Sequence, residues 1–363
     1  MKKLIALLLV LAMALSLAAC GASNAPAATE APKAEAPAEA PAATEAPAEP
    51  EVKTYDKPEL SLKFPEINAD AGLVCDMLRR FADNVKTGSN GRIEIEVFGG
   101  GQLGTEAETM EMLRLGTVDF IRLNPANMAT RGIDIPEYTA LGLPFLIQSI
   151  EGGLEYLYGE GGKALADQII EKSEGDVRAL YNYILTPARN MYSNVEAKTL
   201  ADFKNLKIRS ETSEIKMDMM NCWASATPLA MSEIYTSLST GVLDGCENTF
   251  ASYHDNAWYE EAPYCLKTEH VIGASVFMIG EKAWQKLTAE EQTMMIDALK
   301  EACDWFQSQQ DQQVIDLTAT LTEKGVTFNE CTDKQAWIDA CAPLYEKYAV
   351  GLEDFIADIQ SFK

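Results

Sequence analysis

Hydrophobic residues alternate with polar ones at the start of the region that can fold. Leu60, Leu62 and Phe64 occupy alternate positions and predict a strand. The apolar positions that follow, between residues 73 and 85, are spaced three to four apart and predict an amphipathic helix. In residues 92–98, RIEIEVF, apolar side chains alternate with charged ones, which is typical of a half-exposed strand near a sheet edge.

Capping signals define the next elements. Thr105 and Glu108 form a Thr-x-x-Glu capping box, and the helix that they begin is expected to end at Gly116. A strand over residues 118–121 follows, and Arg122 and Asn124 come directly after it. Residues 177–183 predict another strand. Because strands alternate with helices, the pattern predicts a parallel α/β architecture.

Residues 200–249 combine a strand ending in Arg209, a helix and a strand ending in Asn248. Ligands of open α/β sheets lie outside the carboxyl ends of the strands, so this stretch is expected to form the anion-binding half of a cleft. Residues 236–247 also parallel residues 111–122, since both read as a helix, a glycine cap and a short strand containing an aspartate. The repeat predicts a related unit on the other side of the cleft.

The last third of the chain predicts two elements that connect lobes. Residues 271–279 form an apolar run without charges, as expected for a buried strand that passes between lobes. Thr288 and Glu291 form a capping box, and a helical pattern then continues to Gly325 with a polar interruption at residues 308–313. At 1.5 Å per residue, roughly 36 residues would span about 54 Å.

Composition narrows the class of protein. A chain of 363 residues that is 47% hydrophobic predicts two folded lobes. A net charge of −25 disfavours binding to nucleic acid, so an anion site would need a local group of arginines.

Residues 1–19 carry two lysines, an apolar run and Leu-Ala-Ala before Cys20, which resembles the lipobox of bacterial lipoproteins. An exported protein lipidated at Cys20 is therefore expected, attached to the outer face of the cytoplasmic membrane or in the periplasm. Residues 20–55 are rich in Ala, Pro and Glu and predict a disordered stalk.

Cysteine and histidine content argues against a metal centre. Seven cysteines follow Cys20, none in a CxxC motif, and the only histidines are His254 and His270. Cys331 and Cys341 are close enough in sequence for a disulfide to be considered, although buried free thiols are the simpler interpretation. No metal and no cofactor are expected.

The segment GGGQLG, residues 99–104, fits the GxGxxG pattern of dinucleotide-binding proteins. It follows the second strand and not the first, and an exported protein meets little free NAD. A turn that needs positive φ angles is the simpler interpretation. An exported NAD-dependent oxidoreductase stays open as an alternative function.

Three segments together resemble the solute-binding proteins of tripartite ATP-independent periplasmic (TRAP) transporters, the DctP-like family. They are QLGTEAETMEMLRLGTVDF, KTLADFKNLKIRS and ATPLAMSEIYTSLSTGVLDGCENT. The resemblance implies a two-lobe α/β fold like that of periplasmic binding proteins, with a cleft between the lobes and a long bridging helix. It places residues 56–187 and 275–310 in lobe I, and residues 188–274 and 311–363 in lobe II.

The resemblance also implies roles for individual residues. Arg209 matches the arginine that holds the ligand carboxylate, and Arg189 matches a second ligand-facing arginine of some members. Asn248 matches the asparagine of an ENP-like segment, although Thr249 replaces the proline. The other expected ligand-binding positions are Met231 in the second lobe and Arg122, Asn124, Glu66 and Asn68 in the first.

The function expected from this resemblance is binding without catalysis. A small organic acid, either a sugar acid or a C4-type dicarboxylate, would be held by an arginine and delivered to the TRAP membrane permease. A binding protein of an ATP-driven importer is the remaining alternative.

Overall fold

The computed structural model describes residues 53–362. Its eleven strands are β1 (Leu60–Pro65), β2 (Ile93–Phe98), β3 (Phe120–Leu123), β4 (Val177–Leu185), β5 (Asn190–Ser193), β6 (Lys207–Ser210), β7 (Ser225–Pro228), β8 (Gly245–Asn248), β9 (Tyr264–Lys267), β10 (Ala274–Gly280) and β11 (Thr327–Glu330). The predicted leader, Cys20 and nearly all of the predicted stalk lie outside the described residues.

Fourteen α-helices accompany these strands in the described region. They are α1 (Leu73–Gly88), α2 (Glu106–Leu115), α3 (Pro136–Ala140), α4 (Ile150–Tyr158), α5 (Glu160–Lys172), α6 (Leu200–Phe203), α7 (Glu214–Trp223), α8 (Ile234–Ser239), α9 (Phe250–Asp255), α10 (Glu281–Trp284), α11 (Ala289–Glu323), α12 (Lys334–Ala340), α13 (Ala342–Tyr348) and α14 (Glu353–Ser361). The strand and helix pattern of the sequence is reproduced to within two or three residues at most ends.

The strands form two main sheets, one for each lobe of a mixed α/β fold. Strands β3, β10 and β4 form one sheet in that order, and the parallel pair β1 and β2 lies beside β3. The second sheet has the order β11, β9, β5, β8, β6, β7. A large hydrophobic core contains residues of both sheets, and a smaller separate core lies against each sheet. In one of the smaller cores Phe64 stacks on Phe120, and Phe81 packs edge-on against both. In the other, Tyr192 stacks on Tyr253.

The prediction of a parallel architecture is confirmed for some strand pairs but is wrong for β5 and β10. Strand β10 runs antiparallel to both β3 and β4, and β5 runs antiparallel to β8 and β9. The chain crosses between the sheets from β4 to β5 and again from β9 to β10. Strands β5 and β10 are the strands that the chain forms directly after each of these two crossings.

The two crossing segments are hydrogen-bonded to each other. The N–H of Thr186 donates to the carbonyl of Gly273, at 2.9 Å, and the N–H of Arg189 donates to the carbonyl of Val271, at 2.8 Å. All residues of β10 are buried, which agrees with its lack of charges. The crossing region therefore joins the two sheets through hydrogen bonds between its own two segments.

Helix α11 has 35 residues and packs against both lobes. Leu299 and Phe306 lie in the core with α1 and β10, whereas Leu321 lies in the core beneath the second sheet. The polar interruption has a structural cause, since Gln310 donates to the carbonyl of Leu185 at the end of β4, at 2.6 Å. The bridging helix is thus hydrogen-bonded to the end of β4, where the crossing segment begins, at a point past the middle of its length.

The predicted internal repeat corresponds to two similar units. In the first, α2 ends at Gly116 with φ +76°, and Asp119 accepts a hydrogen bond from the N–H of Lys63 and donates its own N–H to the Lys63 carbonyl. In the second, Asp244 makes the same two bonds with Lys207, at 2.8 and 2.9 Å. Each aspartate, through its side chain and its backbone N–H, thus hydrogen-bonds its own strand to the neighbouring strand.

All seven cysteines of the described region are free, so Cys331 and Cys341 do not form a disulfide. Cys341 is buried between α12 and α13. Its neighbouring thiol is that of Cys222, and this contact and burial both raise the pKa of Cys341.

The lobe boundaries stay a prediction, because the C-terminal helices contact both halves. Tyr156 of α4, for example, packs on Phe355 and Phe362.

Candidate functional site

A cleft of about 540 Å³ lies where the carboxyl ends of strands from both sheets converge. Residues after β3, β6 and β8 line it, together with the crossing segments and Phe306 and Gln313 of α11. Its size falls in the range of about 300–1,000 Å³ that is usual for small-molecule sites. Seven of the eight predicted ligand-binding residues line this cleft, namely Asn68, Arg122, Asn124, Arg189, Arg209, Met231 and Asn248.

Glu66 differs from the expectation, because it lies behind the cleft wall with a fully buried side chain. Both of its carboxylate oxygens accept hydrogen bonds from Arg122, at 2.7 Å each, and a further nitrogen of Arg122 donates to the hydroxyl of Ser275. Burial would raise the pKa of the Glu66 carboxyl, but the charge of Arg122 and its hydrogen bonds hold that pKa below its usual range. The charge of Arg122 is therefore neutralised within the protein.

Arg189 has a comparable buried partner. Its Nε and one terminal nitrogen donate to the carboxylate of Glu247, at 2.5 and 2.6 Å, and the same terminal nitrogen lies 3.3 Å from Glu211. Glu247 also lies 3.3 Å from Nε2 of His270. Burial lowers the pKa of His270, so the imidazole stays neutral. The negative charge of Glu247 is therefore balanced chiefly by Arg189.

Arg209 has no such partner. Within residues 53–362 no carboxylate lies within ion-pair distance of it, and its Nε donates to the backbone carbonyl of Leu229 at 3.0 Å. Burial lowers the pKa of Arg209, whereas the pKa values of Arg122 and Arg189 are raised by their carboxylates against the effect of burial. Arg209 lines the cleft, and its two terminal nitrogens make no hydrogen bond to any described residue, so they are available to an anionic ligand.

Two asparagines present amide donors beside these arginines. Asn124 accepts the N–H of Ala126 with its Oδ1, and Asn248 accepts the N–H of Thr249 in the same way. These bonds fix the orientation of each side chain and leave the Nδ2 groups without a partner in the described residues. Both amides line the cleft and can donate to a ligand oxygen.

The cleft also contains residues that were not predicted from the sequence. Glu106 begins α2 and Glu211 follows Arg209 by two residues, and both carboxylates accept hydrogen bonds from Nδ2 of Asn127, at 3.0 and 2.9 Å. Arg131 lies 3.6 Å from Glu106. Burial and the neighbouring charge of Glu211 raise the pKa of Glu106 to about 7. Glu211 could have been identified from the sequence, because it lies two residues after Arg209 at the same strand end.

The glycine segment 99–104 holds the first loop in place. The N–H of Gly100 donates to the carbonyl of Asn68 and the N–H of Gly101 to that of Glu66, at 2.7 and 2.9 Å. Gly100, Gly101 and Gly104 have positive φ angles, and a Cβ on Gly99 would lie 2.4 Å from the carboxylate of Asp70. A dinucleotide site needs such backbone N–H groups for a pyrophosphate, and here the protein uses them itself.

The described residues contain no group of three or more His, Cys, Asp or Glu side chains that could hold a metal ion. Among the helices of residues 53–362, none has the length and apolar character needed to cross a membrane.

The family model described as bacterial extracellular solute-binding protein, family 7 (DctP), matches residues 65–350. The chain belongs to this family. A solute-binding protein of Chromohalobacter salexigens is 29% identical over 288 residues, which cover 78% of this chain and 84% of the relative.

Two crystal structures of TRAP periplasmic solute-binding proteins show the same fold. One, from Xanthobacter autotrophicus with bound β-D-galacturonate, is 28% identical with a TM-score of 0.77 and covers 83% of this chain and 100% of that chain. The other, from Roseobacter denitrificans with bound L-galactonate, is 27% identical with a TM-score of 0.77 and covers 84% and 99%. The DctP family consists of extracellular solute-binding proteins, and the fold of this chain is their two-lobe fold.

Proposed function

We propose that this DctP-family protein is the extracytoplasmic receptor of a TRAP transporter, that it captures a sugar acid, and that Arg209 binds the carboxylate. The observation that carries the proposal is the unpaired guanidinium of Arg209 inside a polar interlobe cleft. After binding, the protein delivers the acid to the membrane permease.

The chemistry of the guanidinium group favours this role. Its planar array of donors fits a carboxylate in a bidentate geometry, and the group stays charged even where burial lowers its pKa. Removing one member of a buried ion pair costs about 3–5 kcal/mol. At about 1.4 kcal/mol per factor of ten, the loss of Arg209 would weaken binding by roughly two to three and a half orders of magnitude.

The polar groups around Arg209 favour a hydroxylated acid over a simple dicarboxylate. The amides of Asn124 and Asn248 and the backbone of the crossing segments provide directional hydrogen bonds that hydroxyl groups can use. The Xanthobacter and Roseobacter proteins hold galacturonate and galactonate, which are acids of this kind.

Membrane attachment is a separate part of the proposal. Lipidation at Cys20 and a stalk over residues 20–55 would hold the receptor near its permease while the two lobes remain free to bind solute. Mass spectrometry of the mature protein purified from its native membrane tests this part, since a diacylglyceryl group on Cys20 is the expected modification.

A thermal-shift screen of uronates, aldonates and dicarboxylates tests the proposed ligand class, because a ligand stabilises the folded state by RT ln(1 + [L]/Kd). Calorimetry on Arg209→Ala with the best ligand then tests the role of Arg209. Arg80→Ala is the matched control, because Arg80 forms an exposed ion pair with Glu301 away from the cleft. Unchanged affinity in Arg209→Ala would refute the assignment.

A further inference from the structure

Glu106, Asn127 and Glu211 form one wall of the cleft, here called the acidic wall. Glu106 and Asn127 come from the first lobe and Glu211 from the second, and the amide Nδ2 of Asn127 lies between the two carboxylates at 3.0 and 2.9 Å. The three side chains therefore bring two carboxylates from opposite lobes together at one place in the cleft.

The acidic wall has unused hydrogen-bonding capacity. Asn127 is 4% exposed, yet its Oδ1 has no partner among the described residues. The Oε2 atom of Glu106 accepts no hydrogen bond there either, and the Nε of Arg131 beside it is buried without a partner. A buried polar atom without a partner costs free energy. The two acceptor oxygens therefore point to a ligand that supplies hydrogen-bond donors, and the Nε of Arg131, itself a donor, points to an acceptor oxygen. A hydroxyl group can provide both.

The four arginines of the cleft are matched in number by four carboxylates, so no surplus of positive charge for a second ligand anion remains in the cleft. Four arginines line it and no lysine does, within residues 53–362. Arg122 is paired with Glu66, Arg131 with Glu106, and Arg189 with Glu247 and Glu211. Arg209 is the remaining positive charge. A ligand with a second carboxylate would have to place it where every other arginine already has an acidic partner.

From this charge distribution we infer that the acidic wall selects sugar acids with a single carboxylate and rejects the corresponding aldarates and C4-dicarboxylates, with Glu106 and Glu211 accepting hydrogen bonds from the ligand's hydroxyl groups. This inference rests on the proposed function, because it assumes that Arg209 binds the one carboxylate.

The same two carboxylates produce both parts of the selectivity. A hydroxyl group donates to an ionised carboxylate in a charge-assisted hydrogen bond, which is stronger than one between neutral groups. A carboxylate at the same position has no proton to donate. It faces the charge of Glu211, whose pKa stays below its usual range despite burial because of Arg189, Lys216 and Arg209. Above about pH 7 it also faces the charge of Glu106. Neutral glutamines in place of the glutamates would keep the acceptor oxygens and remove the repulsion.

Pairs of ligands that differ at one carbon test the inference. Galactarate is L-galactonate with its terminal hydroxymethyl group oxidised to a carboxylate. Every other aldonate, and every uronate, likewise has a corresponding aldarate with a carboxylate at both ends. Calorimetry on the wild-type protein is expected to show that the aldarate binds at least about 100-fold more weakly than the monocarboxylate, since each factor of ten corresponds to about 1.4 kcal/mol. Binding of both within threefold would overturn the inference.

Substitutions then locate the selectivity. In Glu106→Gln and Glu211→Gln, the ratio between the two ligands is expected to fall by at least about tenfold. Glu111→Gln is the matched control, because Glu111 lies on the exposed side of the same helix and should leave the ratio unchanged. A ratio that stays at the wild-type value in both glutamine variants would refute the role of the acidic wall.

The outcomes separate this inference from the proposed function. If no uronate or aldonate binds, the proposed function fails, and the inference fails with it. If monocarboxylates bind through Arg209 and aldarates bind equally well, only the inference fails. Circular dichroism of each variant establishes that a change in the ratio comes from a folded protein.

Discussion

The two lobes use the same structural unit but place opposite charges on it. In each unit, an aspartate clips its strand to a neighbouring lysine, through Asp119 and Lys63 in one lobe and Asp244 and Lys207 in the other. Three residues after Asp119 lies Arg122, whereas three residues after Asp244 lies Glu247.

This difference explains why one arginine is unpaired. In the first lobe the arginine of the unit is neutralised by Glu66, and in the second lobe the glutamate of the unit is neutralised by Arg189. Arg209 lies on the adjacent strand and has no acidic residue left within ion-pair distance in the described region. We therefore expect the affinity of this cleft for anions to depend on the arginine without a carboxylate partner and not on the total number of arginines.

Loss of either buried acid should have the largest effect on stability. Glu66→Ala and Glu247→Ala each leave an arginine buried without its partner, so urea unfolding is expected to show a loss of about 3–5 kcal/mol. Glu301→Ala removes the acid of an exposed pair and should cost less than about 1 kcal/mol. Equal losses of stability in all three variants would show that the buried ion pairs matter no more to folding than the exposed one.

The stability of the ligand-free protein should depend on the protonation of Glu106. Burial and Glu211 raise its pKa in the folded state from 4.5 to about 7, with Arg131, Asn127 and Arg122 acting in the opposite direction. The folded state therefore holds this proton more tightly. Its contribution is fully present below pH 4.5 and is lost as the pH rises to about 7, by up to about 1.4 kcal/mol per pH unit.

Urea unfolding of Glu106→Gln between pH 4.5 and 7 isolates this contribution, because the variant lacks the titrating group. The difference between wild type and variant should change across this window. The pKa values of Glu66 and Glu247 are lowered by their arginines, so these two acids act at a lower pH. A constant difference between wild type and variant would contradict the assignment to Glu106.

Asp119 and Asp244 should contribute equally to the free energy of unfolding. Asp119→Ala and Asp244→Ala each remove an acceptor for one backbone N–H, and each should cost about 1–2 kcal/mol in urea unfolding. A loss in one lobe that exceeds the other by more than about 2 kcal/mol would show that the repeat is similar in geometry but not in its role.

Replacement of the unpaired arginine should have the smallest effect on the ligand-free protein. Arg209→Met keeps much of the side-chain volume and removes a buried charge that no carboxylate offsets, so stability is expected to stay within about 1 kcal/mol of wild type or to increase. A loss as large as that of Glu247→Ala would indicate that Arg209 has a structural partner after all.

Much of the fold could be predicted from the sequence because local signals are strong there. The capping boxes at Thr105 and Thr288 and the glycine cap at Gly116 each depend on residues within one helical turn. The alternation in residues 93–98 reports directly on an edge strand, and the lack of charges in β10 reports on burial. The direction of β10 was not predictable in this way, because it depends on where the chain crosses between lobes.

The positions of the candidate site residues followed from the family resemblance, but their partners did not. Arg122, Arg189 and Arg209 look alike in the sequence, and which of them is neutralised depends on Glu66 and Glu247, which lie 56 and 58 residues away from Arg122 and Arg189. The acidic wall was missed for the same reason, since Glu106 and Glu211 meet only when the two lobes come together around Asn127.

Whether Arg209 provides the charge that holds the ligand can be measured with a cycle of two proteins and two ligands. Calorimetry compares the sugar acid that binds most tightly with the neutral sugar in which a hydroxymethyl group replaces the carboxylate, for wild type and for Arg209→Ala. Wild type should prefer the acid by about 100-fold or more, and Arg209→Ala should bind both ligands with the same weak affinity. A variant that still prefers the acid by the wild-type factor would contradict the account.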